Sequence, residues 1–77
     1  MTKLNVSYNF NNIDDLNKDA ILKSIVEPFK GSLVECARGL GRRDLVFNFE
    51  DFNLAESCYN ILVERSDIKD LRLIDDH

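Results

Sequence analysis

Between Lys3 and Phe10 apolar and polar residues alternate without interruption. Leu4, Val6, Tyr8 and Phe10 fall on one side, Asn5, Ser7 and Asn9 on the other. A period of two over that length predicts a strand with one buried face. The turn formers of Asn11-Asn12-Ile13-Asp14-Asp15 end it. From Asp14 or Asn17 the spacing lengthens: Leu16, Ala20, Ile21, Ile25 and Phe29 recur at helical intervals, and Leu22 and Val26 widen the stripe. Lys18, Asp19 and Lys23 stand off it, so the segment predicts an amphipathic helix with acids near its start. Pro28 ends or kinks this helix, because proline lacks a donor and crowds the preceding turn.

Ser32 to Arg38 predicts a second strand with two available phases. Turning Val34 and Cys36 inward leaves Leu33, Glu35 and Ala37 outside, whereas the reverse buries an unpaired carboxylate at Glu35. The first phase is preferred, and it pairs Val34 with Phe49, Cys36 with Phe47 and Arg38 with Leu45. That register leaves Gly41-Arg42 as a two-residue loop with glycine at the first central position, as a type II′ hairpin requires. The third strand, Asp44 to Asp51, is the most apolar, with Leu45, Phe47 and Phe49 on one face and Val46 and Asn48 on the other. Asn53 and Glu56 then have the chemistry of a capping box. Leu54, Ala55, Cys58, Ile61, Leu62 and Arg65 follow helical spacing, and Ser66-Asp67 closes that helix. A last strand, Ile68 to Asp75, sets Leu71 and Leu73 opposite Arg72 and Ile74.

The order is strand, helix, strand, strand, helix, strand. Each strand–helix–strand unit should make a right-handed parallel crossover, and the middle two strands form a hairpin. One arrangement satisfies all of this: an α+β plait with a four-stranded antiparallel sheet, order 4-1-3-2, and two helices on one face. In that topology the whole chain resembles the ferredoxin-like superfold. The outer strands carry Glu35 and Arg38, or Lys69, Asp70 and Arg72, and charge on edge strands discourages unwanted pairing.

A superfold does not carry a function, so its uses are tested one at a time. RNA-recognition members stack bases on exposed aromatics of the two middle strands. Here Tyr8, Phe10, Phe47 and Phe49 share the phase of the core. Heavy-metal-binding members have a CxxC after the first strand, where this chain has Asn11 to Asp15. Acylphosphatase-like members need an arginine-bearing anion cradle there, and ACT-like members a glycine turn; neither is present.

At 77 residues the chain is sized for a single domain, residues 1–77, with a thin core that favours pairing with a copy or a partner. Its net charge of −4 opposes nucleic-acid binding, because phosphate contacts supply most nonspecific affinity. No stretch approaches the roughly 20 apolar residues of a membrane span. With no secretory leader in view, a cytoplasmic protein with reduced thiols is expected, and Cys36 and Cys58 are read as core filling.

Two groups of side chains are candidates for recognition. Arg38, Arg42 and Arg43 crowd the hairpin tip, where they could grip an anion or an acidic patch through forked hydrogen bonds, or simply keep a turn soluble. The Asn5, Ser7, Asn9 and Asn48 row is unusual for strands, and reads as a recognition face, a dimer contact or a wetted surface. His77 is the sole histidine, so no nucleophile–base pair or metal-ligand set assembles, and no cofactor or metal is expected. Asp14, Asp15 and Asp19 lack the ligand spacing of a calcium loop and read as capping residues. The expectation is a non-enzymatic module of adaptor, inhibitor or immunity type that binds a protein partner or itself through the open sheet face, an edge strand or the arginine tip. The alternative is a dimeric regulatory domain that takes a small anion beside the three arginines.

Overall fold

A computed structural model describes residues 1–10, 17–39 and 41–75. Strand β1 spans Thr2–Asn9, helix α1 Asn17–Val26, strand β2 Ser32–Gly39, strand β3 Arg42–Phe49, helix α2 Phe52–Leu62 and strand β4 Asp70–Asp75. The strands form one antiparallel sheet in the order β2-β3-β1-β4, the expected 4-1-3-2 order read from the other edge. Leu4, Val6 and Tyr8 of β1 and Leu45, Phe47 and Phe49 of β3 lie beneath the helices, at most 1% exposed. Leu22 and Val26 of α1 and Ala55, Cys58 and Leu62 of α2 close the core over them.

Strand β2 resolves its two phases by using both. Leu33 pairs with Phe47, but the next pair is Glu35 with Val46, so Val34 is a bulge residue. Leu33 therefore packs against the core, Val34 is 47% exposed, and Glu35 and Ala37 keep the outward side. The expectation that Val34 points inward is corrected. The extra residue satisfies the apolar demand of Leu33 without burying Glu35.

Beyond the bulge Cys36 faces Leu45 and Arg38 faces Arg43, two residues along β3 from the expected partners. Gly39 pairs with Arg42, so residues 40–41 link the strands and Arg42 belongs to β3, not to the loop. Gly41 is thus the second linking residue and takes φ of 75°, a conformation that suits glycine. Cys36 shares the face of Leu45 yet is exposed, so core filling holds for Cys58 alone. Both thiols are free.

The helices are rotated from their expected phases. In α1 the buried residues are Leu22 and Val26, with Ile25 half-buried, as is Phe29 just beyond the helix, while Ala20 is exposed and Ile21 is 44% exposed. Asp19, expected on the wet side, turns toward the sheet; Asp14, Asp15 and Leu16 lie outside the described residues. Pro28 sits in a 3-10 turn, Glu27–Phe29, that finishes α1. The cap of α2 is Asp51, whose carboxylate accepts from the Asn53 amide, and not Asn53 itself. The helix ends at Leu62, before Ser66-Asp67, and its phase leaves Ile61 47% exposed.

Candidate functional site

Both helices pack on the same side, so among the described residues no element covers the other side of the sheet. Pairing registers align its outward residues in rows across the strands. One row runs Glu35, Val46, Asn5, Arg72; the next runs Ala37, Asp44, Ser7, Asp70; at the opposite end lie Ser32, Asn48, Lys3 and Ile74. Asn5, Ser7, Asn9 and Asn48 therefore share this face, as the alternation of β1 and β3 implied. No aromatic side chain of the two central strands shares it, since Tyr8, Phe47 and Phe49 are under the helices.

A polar network holds one end of the face. Ser7 donates to the Asp44 carboxylate and accepts from Arg42 Nη2 at 2.9 Å. Arg42 Nε donates to Asp44 at 2.8 Å, and its Nη2 lies 3.6 Å from Asp70 Oδ2. Arg72 Nε reaches the same Asp70 oxygen at 3.4 Å. These contacts leave Ser7 1% exposed although it faces outward. The hydrogen bond from Ser7, seconded by Arg42, holds the Asp44 carboxyl below the usual aspartate range against the opposing effect of burial.

The other end is less satisfied. The side-chain oxygens of Asn5 and Asn48 are shielded from solvent and meet no donor among the described residues. Around them lie apolar side chains: Val46 is half-buried, Val34 is 47% exposed and Ile74 46% exposed. A shallow depression of about 690 Å³ is lined by Asn5, Val34, Glu35, Arg42, Asp44 and Val46.

The three arginines do not converge. Arg42 is on the open face, while Arg43 turns under α1 and forks onto Asp19, with Nη2 at 2.6 Å and Nε at 3.1 Å from Oδ2. Tyr8 donates its hydroxyl to the same carboxylate, and burial together with Asp19 raises its pKa. Arg38 lies over the Phe10 ring, 5.4 Å from its centroid, on the helical side. Nothing in the spacing of Asp19 pointed to Arg43, because their meeting depends on how α1 is rotated. Residues missed by the sequence reading are Lys3, Val34, Glu35, Asp44, Val46 and Asp70, and the exposed pair Arg72 and Ile74. The alternation of β4 already put Arg72 and Ile74 opposite Leu71 and Leu73, and the strand order would have brought them beside β1.

No family model matches the sequence, and none of the curated proteins does. The fold is ferredoxin-like. The structured domain of Drosophila melanogaster Boca superposes with a TM-score of 0.64 over 100% of both chains, at 11% identity. The ACT domain from the GTP pyrophosphokinase of Chlorobium tepidum has a TM-score of 0.61 and 6% identity, covering 99% of this chain and 86% of that one. A NIPSNAP domain protein from Burkholderia xenovorans has a TM-score of 0.54 and 8% identity, covering 100% of this chain and 95% of that one. At these identities the likeness is one of fold. Among the described residues no group of three or more His, Cys, Asp or Glu side chains is placed to hold a metal ion.

Proposed function

We propose that this protein is a non-enzymatic protein-interaction module whose uncovered sheet face is the docking surface. The observation that carries the reading is the charge of that face. Lys3, Arg42 and Arg72 balance Glu35, Asp44 and Asp70 there, so the four excess acidic residues of the chain lie elsewhere. A neutral face with exposed valine and isoleucine and unsatisfied amides resembles the interior of an interface more than a solvating surface. The rest of the molecule, net acidic, keeps it soluble. Among the described residues no helix is long and apolar enough to cross a membrane, and the cytoplasm is the proposed location.

The test compares two lysine substitutions of equal charge on opposite sides of the protein. With the protein immobilised in an extract of its source cell, Val46→Lys should abolish retention of the partner, and Ile61→Lys on α2 should not. Loss with Ile61→Lys and retention with Val46→Lys would move the docking surface to the helices.

The reading as a regulatory domain for a small anion has weaker support. Arg42 and Arg43 already meet carboxylates of their own chain, and a recess of about 450 Å³ beside β2 includes Glu50 and Asp51 in its lining. A thermal-shift screen of phosphorylated metabolites decides it, with stabilisation lost in Arg42→Ala and Arg43→Ala as the result that would establish an anion site.

A further inference from the structure

We infer that the open face binds a second copy of this chain, face to face, about a two-fold axis running along the strands between β3 and β1. This rests on the open face being the docking surface, and it names the occupant. The argument is one of registers. A two-fold axis in that direction lays β3 over the partner copy's β1 and β2 over its β4, and keeps each row opposite itself.

Along the row Glu35–Val46–Asn5–Arg72 the acid is at one end and the base at the other. The axis therefore sets Glu35 of each copy against Arg72 of the other, twice. Glu35 is exposed and makes no ion pair among the described residues, and the Arg72 side chain is 69% exposed. Val46 meets Asn5 at the centre of the same row.

The end row obeys the same operation. Ile74 and the bulged Val34, which lies between the Ser32 and Glu35 rows, are both nearly half exposed and lie on opposite edge strands towards the same end of the sheet. The axis brings Val34 of one copy to Ile74 of the other. It also brings Asn48, whose side-chain oxygen has no donor, over Lys3, whose ammonium carries three. One operation thus answers the unpaired acid, both exposed apolar side chains and one orphaned acceptor. An axis across the strands does none of this: it sets Val34 near Ala37 and Ile74 over Asp70.

Sheets that pack face to face sit about 10 Å apart with strand directions within about 30°. Glutamate and arginine side chains span that gap from either side. The molecule measures 35 × 20 × 17 Å, so the face offers several hundred Å² per copy, the low end for a specific complex. The dimer is accordingly expected to be reversible and to dissociate on dilution.

Sedimentation equilibrium of the full chain, from about 1 mM to about 1 μM, should show a monomer–dimer transition. Glu35→Arg and Arg72→Glu should each weaken association about tenfold or more, by replacing two attractive contacts with like charges. The double variant should recover most of the loss, because it restores both pairs with reversed sign. Both sites are exposed, so circular dichroism should show all three variants folded. A wild-type monomer at the highest concentration overturns the inference, as does a dimer indifferent to either single substitution or a double variant weaker than both. If the wild type is monomeric while Val46→Lys still abolishes partner retention, the second copy is excluded and the docking face stands.

Discussion

Lys30 and Gly31 are adjacent and under opposite constraints: the backbone at residue 30 favours glycine, whereas at residue 31 it is the packing that requires it. Lys30 has φ of 65° and ψ of 28°, the left-handed region, where it caps the 3-10 turn through its amide to Glu27 O at 2.9 Å. A side chain there costs about 1–2 kcal/mol relative to the right-handed region. Gly31 is not in that region; its glycine is required by space. A Cβ at residue 31 would lie 2.3 Å from Val26 Cγ1 and 2.6 Å from Phe49 Cζ, and both side chains are 1% exposed in the core. Neither can withdraw without displacing neighbours, so Gly31→Ala should cost about 2–3 kcal/mol as an overpacking defect. Lys30→Gly relieves the left-handed strain but adds unfolded-state entropy worth about 0.5–1 kcal/mol, leaving a net gain of roughly 0.5 kcal/mol. In a domain of this size 1 kcal/mol moves Tm by about 4–8 °C, so the two variants should separate clearly by urea unfolding and by thermal melts. A Gly31→Ala protein as stable as wild type would refute the packing argument, and destabilisation by Lys30→Gly would refute the backbone argument.

Asp19→Asn should destabilise the fold by about 1–3 kcal/mol, because it leaves the largely buried Arg43 guanidinium without its carboxylate; a double-mutant cycle with Arg43→Met, read by urea unfolding, measures the coupling. Removing the α2 cap with Asp51→Ala should cost about 1 kcal/mol, and Asn53→Ala a few tenths at most, both read as urea midpoints. In native protein a thiol reagent should modify Cys36 alone, since Cys58 is buried and its pKa is pushed up to about 11; both should react in urea. The Asp44 carboxyl is held below its unfolded value, so its contribution is complete above about pH 4 and is lost as pH falls through the folded value. Asp44→Asn should therefore lower the urea midpoint at neutral pH and flatten its decline in acid.

The alternation of Leu4, Val6 and Tyr8, and of Leu45, Phe47 and Phe49, determined which side of each central strand is buried, because a pleated strand has only two faces. Element order and chain connectivity then determined the sheet order and the helical layer. The same alternation put Asn5, Ser7 and Asn48 on the open side. Only the tertiary structure decided the finer matters. Two phases of β2 were each half right in sequence, and a single extra residue at Val34 reconciled them once the sheet edge was in place. Asp19 and Arg43 met because α1 turned Leu22 and Val26 downward, a rotation that a stripe containing Ile21, Leu22, Ile25 and Val26 leaves open. Cys36 remained exposed although it shares the face of Leu45, since the right side of an edge strand is not by itself cover. Periodicity is a local property of the chain, whereas register, rotation and coverage depend on neighbours distant in sequence.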